Sequence, residues 1–262
     1  MLAALPAADM QFNGFGIFAA LLGLCFGSFA GVVCKRTVEG ESIISPPSYC
    51  PNCGDRLKWR DMIPIMGWLL LRGRCRYCKA AVSFRYPVLE AASAVLFVSM
   101  AKHTGIQLSV LSLWGLAFVL LCVAAIDWDT MEIPDGLLVV GVVCGVAWVL
   151  LNDAGHNWID ALFGAAAGAL PLFLLDRLVW IFAKKPGFGF GDVKLMAVVG
   201  LFLGPMGIPA AYFIAFVAGG VYGAILLITG RAQRGSYLPF GPFLCLGVLV
   251  SFLSLYSQVW FA

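Results

Sequence analysis

Charge is scarce in this chain. Asp, Glu, Lys and Arg make up 12% of its 262 residues, about half of the roughly 25% carried by soluble globular domains. Hydrophobic residues make up 61%. That balance excludes an ordinary water-facing surface and reads as membrane-protein composition. The net charge of +3 is too small to argue for nucleic acid as a partner. Six stretches lack Asp, Glu, Lys and Arg altogether: 11–34, 103–126, 136–152, 161–175, 195–230 and 235–262. The first also lacks a basic leading region and a clear small-residue cleavage site, so it reads as an uncleaved span rather than a signal peptide.

A membrane span needs about 20 apolar residues. The stretch 195–230 is too long for one helix, and GPMGIP (204–209) supplies turn residues near its first third, so it is divided there. Residues 87–101 form a further candidate that tolerates Glu90 near one end. The expectation is an all-α polytopic membrane protein of about eight transmembrane helices. Of 17 Lys and Arg residues, ten lie between Lys35 and Arg85. With eight spans, Lys184, Lys185, Arg231 and Arg234 fall on that same side, which the positive-inside rule makes cytoplasmic.

The one sizeable polar segment, 35–86, lacks the apolar residues needed to hold itself together. It carries two CxxC pairs instead, Cys50/Cys53 and Cys75/Cys78. Four thiolates so spaced suit one tetrahedral Zn2+ with no open position, hence a structural rather than a catalytic site. Two disulfides are the alternative, disfavoured in a reducing cytoplasm. The arginines around the knuckles would suit nucleic acid, but their placement beside an anionic leaflet of the lipid bilayer is the preferred account, and no nucleic acid partner is expected. The domain expectation is a first transmembrane helix at 11–34, a cytoplasmic zinc-binding domain at 35–86, and a transmembrane domain at 87–262. The other five cysteines, Cys25, Cys34, Cys122, Cys144 and Cys245, lie in or beside apolar stretches and read as packing residues.

Carboxylates at the edge of spans are costly and usually functional. AAIDWDTMEIPD (124–135) holds Asp127, Asp129, Glu132 and Asp135, and PGFGFGDVKLM (186–196) holds Asp192. Asp127 abuts an apolar run, so it is the candidate for a buried role. Asp129, Glu132 and Asp135 read as solvated charges, or as a helix cap in the case of Asp135. Asp192 has two readings: N-cap of the following helix, or partner of Asp127 in a pair sharing one proton. GFGFGD lacks a preceding strand and a surrounding βαβ unit, which excludes a dinucleotide-binding loop.

Taken in order, these motifs resemble a known family. GxGD at 189–192, GSFAGVVCKR (27–36), CPNC, DMIPIMGWLLLRGRCRYC (61–78), SFRYPVLE (83–90), IDWDTMEIPD and LPFGPFLCLG (238–247) together resemble the type IV prepilin peptidases, a family of GxGD aspartic proteases. The resemblance implies Asp127 and Asp192 as catalytic aspartates. It implies cleavage of prepilins or type II secretion pseudopilins, then methylation of the new N-terminus with S-adenosylmethionine, in the bacterial inner membrane. Neither composition nor spacing indicates which residues hold the methyl donor. The chain departs from the family pattern at Gly31 and Met62, where Asn is usual, and at Gly67, where Ser is usual. A peptidase without methylation, a non-enzymatic zinc-ribbon adaptor and an ion transporter using membrane carboxylates are the competing readings.

Overall fold

The computed structural model describes residues 7–258 apart from 46, 153–156, 185–186, 232 and 234–236. The basic side chains Lys185 and Arg234 and both ends of the 235–262 stretch lie outside the described residues. The elements run α1 (Ala7–Glu39), a 3-10 turn (Trp59–Met62), α2 (Met66–Leu70), α3 (Arg85–Thr104), α4 (Val110–Thr130), α5 (Asp135–Leu151), α6 (Trp158–Ala183), α7 (Phe190–Ile228) and α8 (Gly241–Gln258). The only pairing of extended backbone among the described residues is two isolated bridges, Tyr49 with Arg56 and Arg74 with Ala81. The chain forms two compact units, Met1–Val110 and Leu111–Ala262.

In the first unit α1 packs along α3 through a glycine stripe. Gly23, Gly27 and Gly31 recur every four residues and so share one helix face. A Cβ on Gly23 would lie 2.7 Å from the Ala94 Cα, and one on Gly27 2.5 Å from the Glu90 Cα. One on Gly31 would lie 2.7 Å from the Tyr86 ring. Small residues at this spacing let two helices approach closely in lipid, where packing rather than water exclusion drives association. α1 continues past the uncharged stretch to Glu39, where Arg36 donates to the Ser42 and Ile43 carbonyls at 2.9 and 3.0 Å and so fixes the chain's exit.

In the second unit α7 packs against α5, α6 and α8. Gly164 and Gly168 of α6 lie directly on the α7 backbone at Gly200 and Met196, and Tyr212 donates to the Gly168 carbonyl. Trp148 of α5 is fully buried, 6.4 Å from Phe202 and 6.2 Å from Phe252 between ring centres. At 39 residues a straight α7 would reach about 58 Å, nearly twice the ~30 Å hydrocarbon core. A kink resolves this: Gly204 sits at φ 62 and Pro205 follows it, within the turn expected from the sequence.

Four described helices are long and apolar enough to cross a membrane: Gly14–Glu39, Val110–Thr130, Trp158–Phe182 and Phe190–Ile228. Eight crossings are reached only by adding α3, α5 and α8 and counting both halves of α7. Large apolar side chains such as Phe163, Val143 and Phe213 are exposed on α5, α6 and α7. Such a surface suits a protein whose solvent is hydrocarbon.

Candidate functional site

Two groups of residues carry chemistry, one in each unit. In Met1–Val110 the four predicted cysteines converge. Their sulfurs all lie within 4.8 Å of one another, with Cys50 and Cys78 at 3.8 Å and Cys53 and Cys75 at 4.0 Å. A tetrahedron of thiolates at the usual Zn–S length has edges of about 3.8 Å, whereas a disulfide needs about 2.05 Å. The donor set and its spacing therefore fit a metal, and all four thiols are free. The two knuckles are copies of one turn. Gly54 N–H donates to Cys50 O and Lys79 N–H to Cys75 O; Cys50 N–H donates to Asp55 O and Cys75 N–H to Ala80 O. Gly54 and Lys79 both adopt positive φ, at 74° and 61°. The Ala80 N–H, and after it the Asn52 amide, hold the Cys78 thiol down at about 6. Against the Asp55 N–H, burial, the Asp55 side chain and the neighbouring Cys78 and Cys50 thiols push Cys53 up to about 12, as expected where thiols crowd one another. Arg76 forks onto Asp61 at 2.5–3.2 Å and braces the second knuckle against the 3-10 turn.

In Leu111–Ala262 the structure brings together Asp127 and Asp192, 65 positions apart in sequence. Asp127 is in the last turn of α4 and Asp192 in the first turn of α7; they are 4% and 7% exposed, and each lies within the other's electrostatic reach. The helix begins three residues earlier than an Asp192 cap requires. Gly189 is the N-cap, and Asp192 is the third helical residue, its N–H donating to the Gly189 carbonyl at 3.0 Å. Asp192 is thereby not the N-cap; its carboxylate instead reaches back to the backbone of the capping residue Gly189. Asp135 likewise is not a cap: Pro134 holds that position and Asp135 opens α5. Asp129, Glu132 and Asp135 are all exposed, as solvated charges would be.

Three supporting contacts were not visible in the sequence. Gly241 N–H donates to Asp127 Oδ2 at 2.9 Å across 114 positions, so the start of α8 fixes one carboxylate. A Cβ on Gly241 would come 2.8 Å from that oxygen, so the approach requires glycine. Asp176 Oδ1 accepts from Gly187 N–H at 2.9 Å and Phe188 N–H at 3.2 Å, which ties down the entry to the glycine turn. Phe188 in turn packs edge-on against Phe216 and Phe240, 6.1 and 5.4 Å away. The motifs LPFGPF and GFGFGD were readable as motifs, but nothing local marks which carboxylate each one serves.

A helical chain of membrane-type composition that buries two carboxylates within electrostatic reach of one another is suited to acid–base chemistry at a membrane. Comparison with known proteins narrows this. The description "Bacterial Peptidase A24 N-terminal domain" matches residues 21–104, and "Type IV leader peptidase family" matches residues 114–224. A prepilin leader peptidase/N-methyltransferase of Myxococcus xanthus (strain DK1622) is 36% identical over 83% of this chain, which spans 65% of that protein's length. Proteins of the same name from Stutzerimonas stutzeri and Bacillus subtilis (strain 168) are 32% and 34% identical. These matches cover 91% and 89% of this chain, and 90% and 92% of those proteins. No solved structure matches. The chain belongs to the type IV leader peptidase family.

Proposed function

We propose that this protein cleaves the leader from type IV prepilins or type II secretion pseudopilins at the cytoplasmic face of the bacterial inner membrane. It then N-methylates the residue exposed by the cut. The burial of Asp127 and Asp192 within one another's field carries the reading. Two carboxylates so close do not both ionise readily, so they hold one proton between them. The ionised member takes a proton from water, and the water oxygen attacks the scissile carbonyl carbon. The protonated member gives its proton to the carbonyl oxygen. Collapse of the tetrahedral adduct breaks the C–N bond, and the nitrogen leaves with a proton as the new N-terminal amine. Gly241 N–H keeps Asp127 oriented, and Asp176 ties down the entry to the glycine turn that precedes Asp192.

Methylation follows on the product. The amine freed by the cut is the nucleophile, and S-adenosylmethionine would supply the methyl group it takes. The donor supplies an electrophilic methyl group; the protein's part is to hold donor and amine in line. Cys50, Cys53, Cys75 and Cys78 would hold one structural Zn2+ and keep the segment between α1 and α3 folded. The eight-crossing arrangement, with both termini outside, belongs to the same reading. The test is to incubate the purified protein with a prepilin, with and without S-adenosylmethionine, and to weigh the new N-terminus. A shortened pilin, heavier by one methyl group only when the donor is present, is the expected result. A shortened but never methylated product would leave a peptidase alone, and an uncut substrate would reject the function.

A further inference from the structure

We propose that the methyl donor binds in a cavity of about 600 Å3 inside the unit Met1–Val110, with Glu90 as the carboxylate that receives its cationic end. This rests on the methyltransferase half of the function proposed above. The cavity is walled by α1, the cysteine module and the start of α3, and its volume is that of ordinary small-molecule sites, about 300–1,000 Å3.

The first support is Glu90 itself. It lies on α3, is 6% exposed and lines the cavity. Its partners there are the Ile65 N–H, at 2.6 Å, and the Ser28 hydroxyl. Both are neutral donors. A carboxylate out of water is costly unless its charge is balanced; Lys35, Arg36, Arg74 and Arg76 also line the cavity and suit a ligand's own carboxylate, while a ligand's positive centre suits Glu90. S-adenosylmethionine carries two such centres, a sulfonium and an ammonium.

The second support is backbone strain at the same wall. Ile65 has φ 58 and ψ −52, and Met66 N–H donates to the Pro64 carbonyl around it at 2.5 Å. This is the positive-φ γ-turn, rare and strained, and it is centred on a β-branched residue, for which positive φ is a true outlier. Strain of this kind persists only where surrounding contacts impose it, and it gathers at ligand clamps. The Glu90 carboxylate accepts from the Ile65 N–H at the centre of this turn. Carboxylate and turn are thus one device, and Ile65 also lines the cavity.

The third support is the rest of the lining. Met62 and Gly67 both line this cavity, and Gly31 lies against the ring of Tyr86, which lines it too. A Cβ on Gly67 would run into the Asp61 carbonyl, so the local backbone is built around glycine there. The aromatic residues Tyr49, Trp68 and Tyr86 on the same lining suit the adenine ring and the onium charge, which the face of an aromatic ring attracts.

The test uses the full-length, zinc-loaded protein in lipid nanodiscs. Radiolabelled S-adenosylmethionine is cross-linked by ultraviolet light and mapped by peptide, and its affinity is measured by calorimetry. The label is expected within residues 25–90, and E90Q should weaken binding by about ten-fold or more, as loss of a charged partner does, at unchanged zinc content. Should E90Q lose its zinc and fail to fold, M62W carries the test by filling the cavity, with the same loss of affinity expected. Label confined to Leu111–Ala262, a cavity found to hold only phospholipid, or undiminished affinity in the folded variants would overturn the assignment. If pre-cut pilin is methylated while the label maps elsewhere, this inference alone fails. If the unaltered protein neither binds the donor nor methylates pre-cut pilin, the methyltransferase reading fails with it.

Discussion

Lys194 Nζ donates to Asp135 Oδ1 at 2.7 Å, joining two residues 59 positions apart. Lys194 is two residues after Asp192, and Asp135 is eight after Asp127. Beside this pair, Gly191 lies against the Ile133 side chain, close enough that a Cβ on the glycine would stand 3.0 Å from the Ile133 Cβ. The two motifs that bear the buried aspartates are thus fastened to each other at their exposed edges. Both partners of the ion pair face solvent, so it adds little to stability, about 0–1 kcal/mol. Its consequence is alignment of the first turns of α5 and α7.

Breaking that pair should therefore cost activity more than stability. Lys194→Met is expected to lower prepilin cleavage by about three- to ten-fold, or roughly 1 kcal/mol in the transition state, with the melting temperature nearly unchanged. Lys194→Arg should restore most of the loss. A Lys194→Met protein of full activity would show that the pair aligns nothing.

The aspartates themselves behave differently. Asp127→Asn and Asp192→Asn should each abolish measurable cleavage, a loss of at least about 10^3-fold, since a proton-sharing pair fails when either member cannot ionise. Asp129→Asn, at an exposed position, should cost far less. Cleavage of a purified prepilin, followed beside the yield of folded protein, measures this. Full activity in either of the first two variants would remove the proposed dyad.

The sequence made some of this legible, for particular reasons. Asp127 and Asp192 stood out because charge next to an uncharged apolar run is rare, and the cysteines because CxxC spacing is set by metal geometry. The break in the long apolar stretch was marked by Gly204 and Pro205, whose backbone preferences act locally. Contacts that join distant positions had no such signal. Nothing near Asp127 indicates that Gly241 will donate to it, and nothing near Asp176 indicates that Gly187 and Phe188 will reach it. The N-cap reading of Asp192 failed because glycine can also cap a helix: Gly189 did so and moved the start back to Phe190. The number of crossings was hard to read because α3 carries Arg85, Glu90 and Lys102 within its 20 residues, so length and hydropathy disagree there.

Asp176 gives a third test. Its carboxylate gathers the Gly187 and Phe188 amides, and hydrogen bonds to a charged group are worth about 1.5–3 kcal/mol each. Asp176→Ala should free the glycine turn, lowering kcat by about ten-fold and speeding amide exchange at those two positions. Asp176→Asn keeps an accepting oxygen and should retain most of the activity. Unchanged exchange in the alanine variant would show that the turn is held by other contacts.

Elemental analysis should find one Zn2+ per chain. Replacing Cys50 or Cys75 with Ser should abolish it and lower the yield of folded protein, because the two turns have little apolar core of their own. A preparation from reduced cells that contains no zinc, or that maps to disulfides, would reject the metal. Residual cleavage by such a variant would not, since the aspartates belong to the other unit.

The last expectation separates the two activities. Methyl transfer to an amine needs a deprotonated nitrogen held in line with the sulfonium. It needs neither a hydrolytic water nor a pair of carboxylates sharing a proton. The amine, however, exists only after the leader is gone, so an aspartate variant given whole prepilin will methylate nothing, whatever the state of its methyl-donor site. The informative substrate is pilin already cut. On it, Asp192→Asn protein should transfer methyl groups at close to the normal rate, while changes between Gly27 and Arg36 or in the cysteine module should slow transfer more than cleavage. Mass spectrometry of the pilin N-terminus at timed intervals distinguishes these outcomes. Transfer that disappears with Asp192 on pre-cut substrate would mean that the two reactions share one site. Retained transfer would place the chemistry of methylation apart from the dyad, as expected if the donor is held by the residues around Glu90.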